Sequence, residues 1–354
     1  MIPASVPTST KSQNLTIFES NPPATIPPSP DVPTPSLAAL WAKKYFSNVS
    51  SSEDRERLRA SPTLSNITSQ EGRADTAKQL LKGLTLASAQ AWSMTENLLS
   101  EEIERHGINP DLIDPWQIAA DSHALFKKAM EAYAERVTPR RLAVIVGGEF
   151  GQVRKKYTAV DPRVIGFVSM QFHYTGKVLL DRLSTVEQSL INPYFKVMDD
   201  HLYMPLRDAY QAAAQHSYNS PGLVAVQNLL PISTKIAEAV CQQICRSHPD
   251  YQSNSGLLTS TLVKISSIRD VEMFQVYLCL CVLENSIRSV QQELFPLCIM
   301  LYPHLGVSWK LIQDMLQTLS WEMHDQLKAE HLAVFLPYVH ALTEMFSNEI
   351  FQQG

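Results

Sequence analysis

From Ala74 onward, apolar positions recur at three- and four-residue intervals almost everywhere, the period of helices packed on one face. Three helix starts use one device: Asp114-Pro115, Thr138-Pro139 and Asp161-Pro162. In each, an N-cap side chain can accept a bond from an orphan amide. Proline, pre-set near helical φ, then takes the first position and needs no donor. The second helix contains Leu142-Ala143-Val144-Ile145-Val146, a strand-like run by propensity, but its cap and the length of the segment to Tyr157 predict helix. The third runs through Val164, Ile165, Phe167, Val168, Phe172 and Leu179. Residues 74 to 183 thus read as a helical N-terminal domain. Beyond it the pattern predicts helices near 185–216, 221–246, 267–292, 293–303, 308–327 and 330–346, within a second domain spanning 184 to 354. Pro205, Pro231, Pro296 and Pro337 are expected to kink or split them, because each removes an amide donor and crowds the preceding turn. Ser220-Pro221 and Gly306-Val307 mark boundaries by cap and turn chemistry.

The first 36 residues differ. They hold nine of the chain's 22 prolines, with many Ser and Thr and almost no charge, and so cannot bury enough apolar surface to offset chain entropy. The expectation is a disordered arm. Residues 37 to 73 read as a short helix and a flexible linker. Leu37, Leu40, Trp41 and Tyr45 have helical spacing, and the serine run Ser47 to Ser52 follows. That segment is either a docking helix on a tether or a transient helix without a partner.

Composition narrows the chemistry. A net charge of −5 with 18% charged residues gives no basic field, which disfavours nucleic acid and suits protein partners. No run approaches the eighteen or so apolar residues of a bilayer span, and no secretory leader is visible, so cytoplasm is the expected compartment. The five cysteines, Cys241, Cys245, Cys279, Cys281 and Cys298, are odd in number and read as reduced, buried thiols. They lack the paired knuckles of a zinc site, and no metal is expected. Gly-x-Ser-x-Gly, a phosphate-cradling glycine loop and His-Glu-x-x-His are all missing, and the chain reads as non-enzymatic. Gly147-Gly148-Glu149-Phe150-Gly151 reads as a helix-packing or kink site. The neighbouring acids Glu101-Glu102 and Asp199-Asp200 diverge on a helix and are expected on a solvated face.

The run Ser266-Ser267-Ile268-Arg269-Asp270-Val271-Glu272-Met273-Phe274-Gln275-Val276-Tyr277 carries the most specific signal. It resembles the chromophore-binding helix of phycobiliproteins, Cys-x-Arg-Asp followed by aromatics, with Ser267 at the position of the attachment cysteine. The frame continues to Tyr302-Pro303-His304-Leu305-Gly306-Val307, similar to that family's Tyr-x-x-Leu-Gly turn. Upstream, Leu229 to Val240 and the loop His248-Pro249-Asp250-Tyr251 with Gly256 fall in the same frame. Downstream, Phe335 to Leu342 resembles the closing helix. The frame covers about residues 200 to 347. Departures include Asn285-Ser286 in place of Gly-Asp, and apolar Val276 where the family has a basic residue.

The resemblance implies an all-α fold, with a globin-like phycobiliprotein-type C-terminal domain preceded by the helical N-terminal region and the arm. It implies a protein of a photosynthetic cyanobacterium, connected with the phycobilisome, cytoplasmic or at the thylakoid surface through phycobilisomes. Its partners would be phycobilisome subunits or itself. Because serine cannot form the thioether, no bilin is expected to be covalently bound. Arg269 and Asp270, which in the family meet a propionate and the pyrrole nitrogens, remain candidates for holding bilin or haem non-covalently. The alternative is a globin-like sensor that binds such a group. For haem, His248, His304, His324 and His340 are candidate ligands without a flanking pattern. The apolar spacing of Val271, Phe274, Tyr277, Leu278, Cys281 and Val282 predicts that this helix is the central buried one.

Overall fold

Helix follows helix in the computed structural model, which describes residues 36–45 and 62–347. The disordered arm expected over 1–36 lies outside the described residues, apart from Ser36. Helix α1, Leu37–Ala42, is capped by the Ser36 hydroxyl and runs into a 3₁₀ turn, Lys43–Tyr45. Next come α2, Pro62–Thr68, and α3, Gln70–Arg105, a helix of 36 residues. The linker expected to reach residue 73 is therefore helical from Pro62. The Ser69 hydroxyl, accepting from the Gly72 amide, starts α3 ahead of the expected boundary.

All three Asp-Pro and Thr-Pro starts are realised. Asp114 caps α4, Pro115–Ala134, and Thr138 caps α5, Pro139–Thr158, which includes the strand-like Leu142–Val146 run. Asp161 caps a 3₁₀ turn that leads into α6, Ile165–Leu180. Helix α7, Thr185–Tyr203, opens on a reciprocal capping box between Ser184 and Glu187 and tolerates Pro193 in its interior. Pro205 then splits it from α8, Leu206–Ala213. Pro231 likewise sits in a 3₁₀ turn between α9, Pro221–Leu229, and α10, Ser233–Ser247. Pro337 does not split its helix.

A two-residue antiparallel hairpin, β1 (Gln252–Ser253) and β2 (Gly256–Leu257), precedes α11, Thr261–Glu284. Helix α11 starts six residues before the expected 267 and ends on Asn285 in the left-handed region, φ 49°. A π turn at Val290–Leu294 leads to α12, Phe295–Leu301. Helices α13, Trp309–Gln326, and α14, Ala329–Met345, are the last among the described residues. The Tyr302–Val307 turn needs Gly306 at φ 68°, and a Cβ there would meet the Asn254 amide oxygen at 2.8 Å. Asn254 in turn donates its backbone amide to Leu305 O at 3.0 Å, which fastens this turn to the hairpin.

The core has no break at the 183/184 boundary. Helix α3 packs on α4 and α6, and α7 packs on α4, α5 and α6 from across that boundary. The described residues form one compact unit. Helix α11 is covered by α8, α9, α10 and α14, and every residue from Val271 to Leu283 is buried. The expectation of a central buried helix is met. Among the described residues no helix is long and apolar enough to cross a membrane.

Candidate functional site

Two polar faces meet where α7 crosses α11. Helix α7 supplies Lys196, Asp199 and Asp200, and α11 supplies Arg269, Asp270 and Glu272. The turn after α1 adds Lys44 and Tyr45. Seven charged side chains are thus gathered at one seam of the helical fold, with Asp200 and Glu272 wholly buried and the others partly so. Groups of this kind stay ionised in a low-dielectric interior only when paired.

The pairing divides into two halves. In the first, Lys44 Nζ lies 2.6 Å from Glu272 Oε2 and 3.4 Å from Asp200 Oδ2, and Lys196 Nζ lies 3.2 Å from Asp200 Oδ1 and 3.5 Å from Glu272 Oε2. The remaining lone pairs are also used: Tyr45 donates to Asp200 Oδ2 at 2.7 Å and Thr234 donates to Glu272 Oε1 at 2.6 Å. Trp41 covers the assembly, with its ring centroid 3.7 Å from Lys44 Nζ and its indole N–H donating to Tyr45 at 2.9 Å. Burial alone would raise the Asp200 carboxyl, but the two ammonium groups and their hydrogen bonds outweigh it and hold the pKa at about 2. Burial wins at Lys44, whose pKa falls despite both carboxylates. At Lys196 the carboxylates win, and the pKa rises.

In the second half, the Arg269 guanidinium lies between Asp199 Oδ2 and Asp270 Oδ1, 3.6 Å from each, and stacks 4.5 Å over the Tyr203 ring. These contacts are longer than hydrogen bonds. Desolvation accordingly dominates, and Asp199 and Asp270 are both pushed up to about 6 despite the guanidinium. The acid pair 199–200 does diverge, as helical geometry requires, but only Asp199 reaches solvent, at 29% exposure, while Asp200 is wholly buried. The same correction applies at Glu102, 1% exposed, whose carboxylate receives His304 at 2.7 Å and His106 at 2.8 Å. Sequence reasoning missed His304 because it lies 202 residues away along the chain, whereas His106 is an i,i+4 neighbour on the same helix end.

Ser267 is half-buried and lines a different space. Its cleft, shared with Cys241, Cys245, Leu258, Lys264 and Met315, holds about 10 Å³. That is room for about one water, whereas pockets for drug-sized ligands run to about 300–1,000 Å³. Arg269 and Asp270 do not line it. The structure therefore brings the two candidate residues together with Asp199 and Tyr203, but not with Ser267 around one cavity. A tetrapyrrole does not fit this arrangement. Of the haem candidates, His248 pairs with Asp314 at 3.0 Å and His304 with Glu102, while His324 and His340 are exposed. Among the described residues no group of His, Cys, Asp and Glu could hold a metal ion, and the five cysteines are free thiols.

A third buried cluster joins α5 to α11. Arg154, 1% exposed, donates to Leu202 O at 2.6 Å and to Tyr277 Oη at 2.8 Å, and pairs with Glu293 of the π turn. Tyr277 also donates to Glu293 at 2.7 Å. The glycine run of α5 serves the packing expected of it: a Cβ on Gly147 would sit 3.0 Å from His201, and one on Gly151 would sit 2.3 Å from Arg207 Cβ. No protein family, curated protein or solved structure matches the chain significantly.

Proposed function

We propose that this chain is a non-enzymatic, phycobilisome-related protein of a photosynthetic cyanobacterium that carries no covalently attached bilin and acts as an interaction or regulatory partner. The observation that carries this reading is Ser267. It stands at the cysteine position of the Cys-x-Arg-Asp frame, on the helix that forms the buried centre of the fold, beside a cleft with room for about one water. Two features support it further. The residues that would grip a pigment, Arg269 and Asp270, are taken up by Asp199 and Tyr203. The Tyr302–Val307 turn, which resembles the family's Leu-Gly turn in sequence, has Gly306 in the left-handed region. Partners are then phycobilisome subunits, and the location is the cytoplasm at the thylakoid surface. The sensor alternative has no comparable observation in its favour, because non-covalent haem or bilin in the Ser267 cleft would need it to open about thirtyfold or more.

The test is co-sedimentation of the affinity-tagged full chain with intact, purified phycobilisomes on a sucrose gradient. Binding that saturates and survives a washed re-run is the expected result. A chain that remains at the top of the gradient at every ratio overturns the proposal.

A further inference from the structure

The segment Ser36–Tyr45 is seated like a ligand in a groove built by other elements. Its helix of 6 residues is shorter than any that persists alone in water, so its receiving groove maintains it. That groove is formed by α5, α8 and the Leu230–Ile232 turn, elements remote from it in sequence. Into it go Leu37, Leu40, Trp41, Ala42 and Tyr45, all buried. The floor is acidic. Without Lys44, the wholly buried Asp200 and Glu272 carboxylates share a single ammonium, that of Lys196. The groove thus asks for an aromatic residue followed three positions later by a cation, the pattern of Trp41 and Lys44.

We propose that this groove is a docking site for the Ser36–Tyr45 segment of a second copy, so that two chains associate by exchanging α1. The sequence seen to fit is that of α1 itself, and every copy carries it. The connection 46–61 makes the bound segment intramolecular, which raises its effective concentration and favours the closed monomer when the protein is dilute. Exchange is a matter of concentration, as in other reciprocal swaps of an identical element.

The experiment uses the full chain with a protease site placed within 46–61 and a fluorescent peptide of residues 36–45. After cleavage the peptide should displace the resident segment and raise the anisotropy, and peptides with Lys44→Glu or Trp41→Ala should bind at least ~10-fold more weakly. The uncut chain should need ~100-fold more peptide, because the tethered segment competes. Light scattering of the uncut chain should show a dimer fraction that rises with concentration and dissolves on adding the peptide. Failure of the peptide to enter the cleaved chain, equal binding of the Lys44→Glu peptide, or a strict monomer at millimolar chain each overturns the proposal. The peptide arm needs no substitution among the groove residues, and an unchanged urea midpoint of the uncut chain with the protease site shows that misfolding does not mimic a negative.

Discussion

Lys44 and Glu272, far apart in the sequence, place an ammonium 2.6 Å from a carboxylate that is wholly buried, under a tryptophan ring. The cluster around them adds Lys196 and Asp200 and is balanced at two cations and two anions. Removing Lys44 leaves two buried carboxylates facing one cation. Breaking a buried pair in this way costs about 3–5 kcal/mol. Lys44→Ala should therefore lower the urea midpoint by a large fraction of a normal domain's stability. Glu272→Gln in the same background should cost less than it does in the parent, since its partner is already gone. Strict additivity of the two changes would refute a direct coupling.

On α11, two neighbours of the candidate motif should behave alike although the sequence suggests otherwise. Phe274 is completely buried, edge-on to Phe346 at 6.0 Å, and Phe274→Ala should cost about 3–5 kcal/mol through the cavity it leaves. From the sequence alone Arg269 looks dispensable for folding, a solvent-facing or pocket-facing cation. Its burial between Asp199, Asp270 and Tyr203 changes the expectation. Arg269→Ala should destabilise by about 1–3 kcal/mol at neutral pH, because two partly buried carboxylates lose their counter-ion. Denaturant midpoints of both variants against the parent decide the matter, and a neutral Arg269→Ala would show that the cluster is solvated.

The fold was legible where its causes were local. Asp114-Pro115, Thr138-Pro139 and Ser220-Pro221 announce helix starts because cap and proline act within four residues, and all three caps form. The apolar run of α11 from Val276 to Leu283 told of burial on all sides for the same reason. Proline effects were legible only in part. Pro205 and Pro231 divide helices, but Pro337 sits within α14 and Pro193 within α7. The missing amide donor is tolerable where packing holds the helix together. The candidate site was hidden for the opposite reason. Asp199-Asp200 on its own helix looks like a solvated face, and only the tertiary approach of Lys44, Glu272 and Arg269 buries Asp200 and half-buries Asp199. A Trp-x-x-Lys-Tyr pattern in a short apolar segment was the available signal, since a lysine amid buried aromatics needs an acid to receive it.

Ser267 leads to a spectroscopic prediction. Serine oxygen is a poor nucleophile without a neighbouring base, and the cleft beside it holds about 10 Å³. In a host making bilin and a suitable lyase, the acid-denatured full-length band should show no zinc-enhanced fluorescence. Ser267→Cys should also remain dark, because the limit is space as well as chemistry. A fluorescent parent would remove the basis for a pigment-free protein. A fluorescent Ser267→Cys alone would show that the helices around Cys241, Leu258 and Met315 part far enough to admit a tetrapyrrole.

The two halves of the charge cluster should pull stability in opposite directions with pH. Burial raises Asp199 and Asp270 to about 6, from 3.8 in the unfolded chain, so between pH 4 and pH 6 the folded state holds protons that the unfolded state has released. Their contribution is complete below about pH 4 and is lost as pH rises through 6. Asp200 runs the other way. Held at about 2 against a usual 3.8, it stabilises the fold above about pH 4, and that contribution is lost as pH falls toward 2. Asp199→Asn and Asp270→Asn mimic the protonated acids and remove the first effect alone. Relative to the parent, each variant should gain on the order of 1 kcal/mol in going from pH 5 to pH 7. Taking the difference from the parent cancels the titration of other groups, including the buried His201. Asp200→Asn should instead lose stability at neutral pH and draw closer to the parent as pH falls toward 2, where the native carboxyl is becoming protonated. Urea titrations at pH 3, 5 and 7 separate the two behaviours. If the Asn variants at 199 and 270 track the parent in parallel from pH 5 to 7, then those carboxylates are not desolvated, and Arg269 is a surface ion pair.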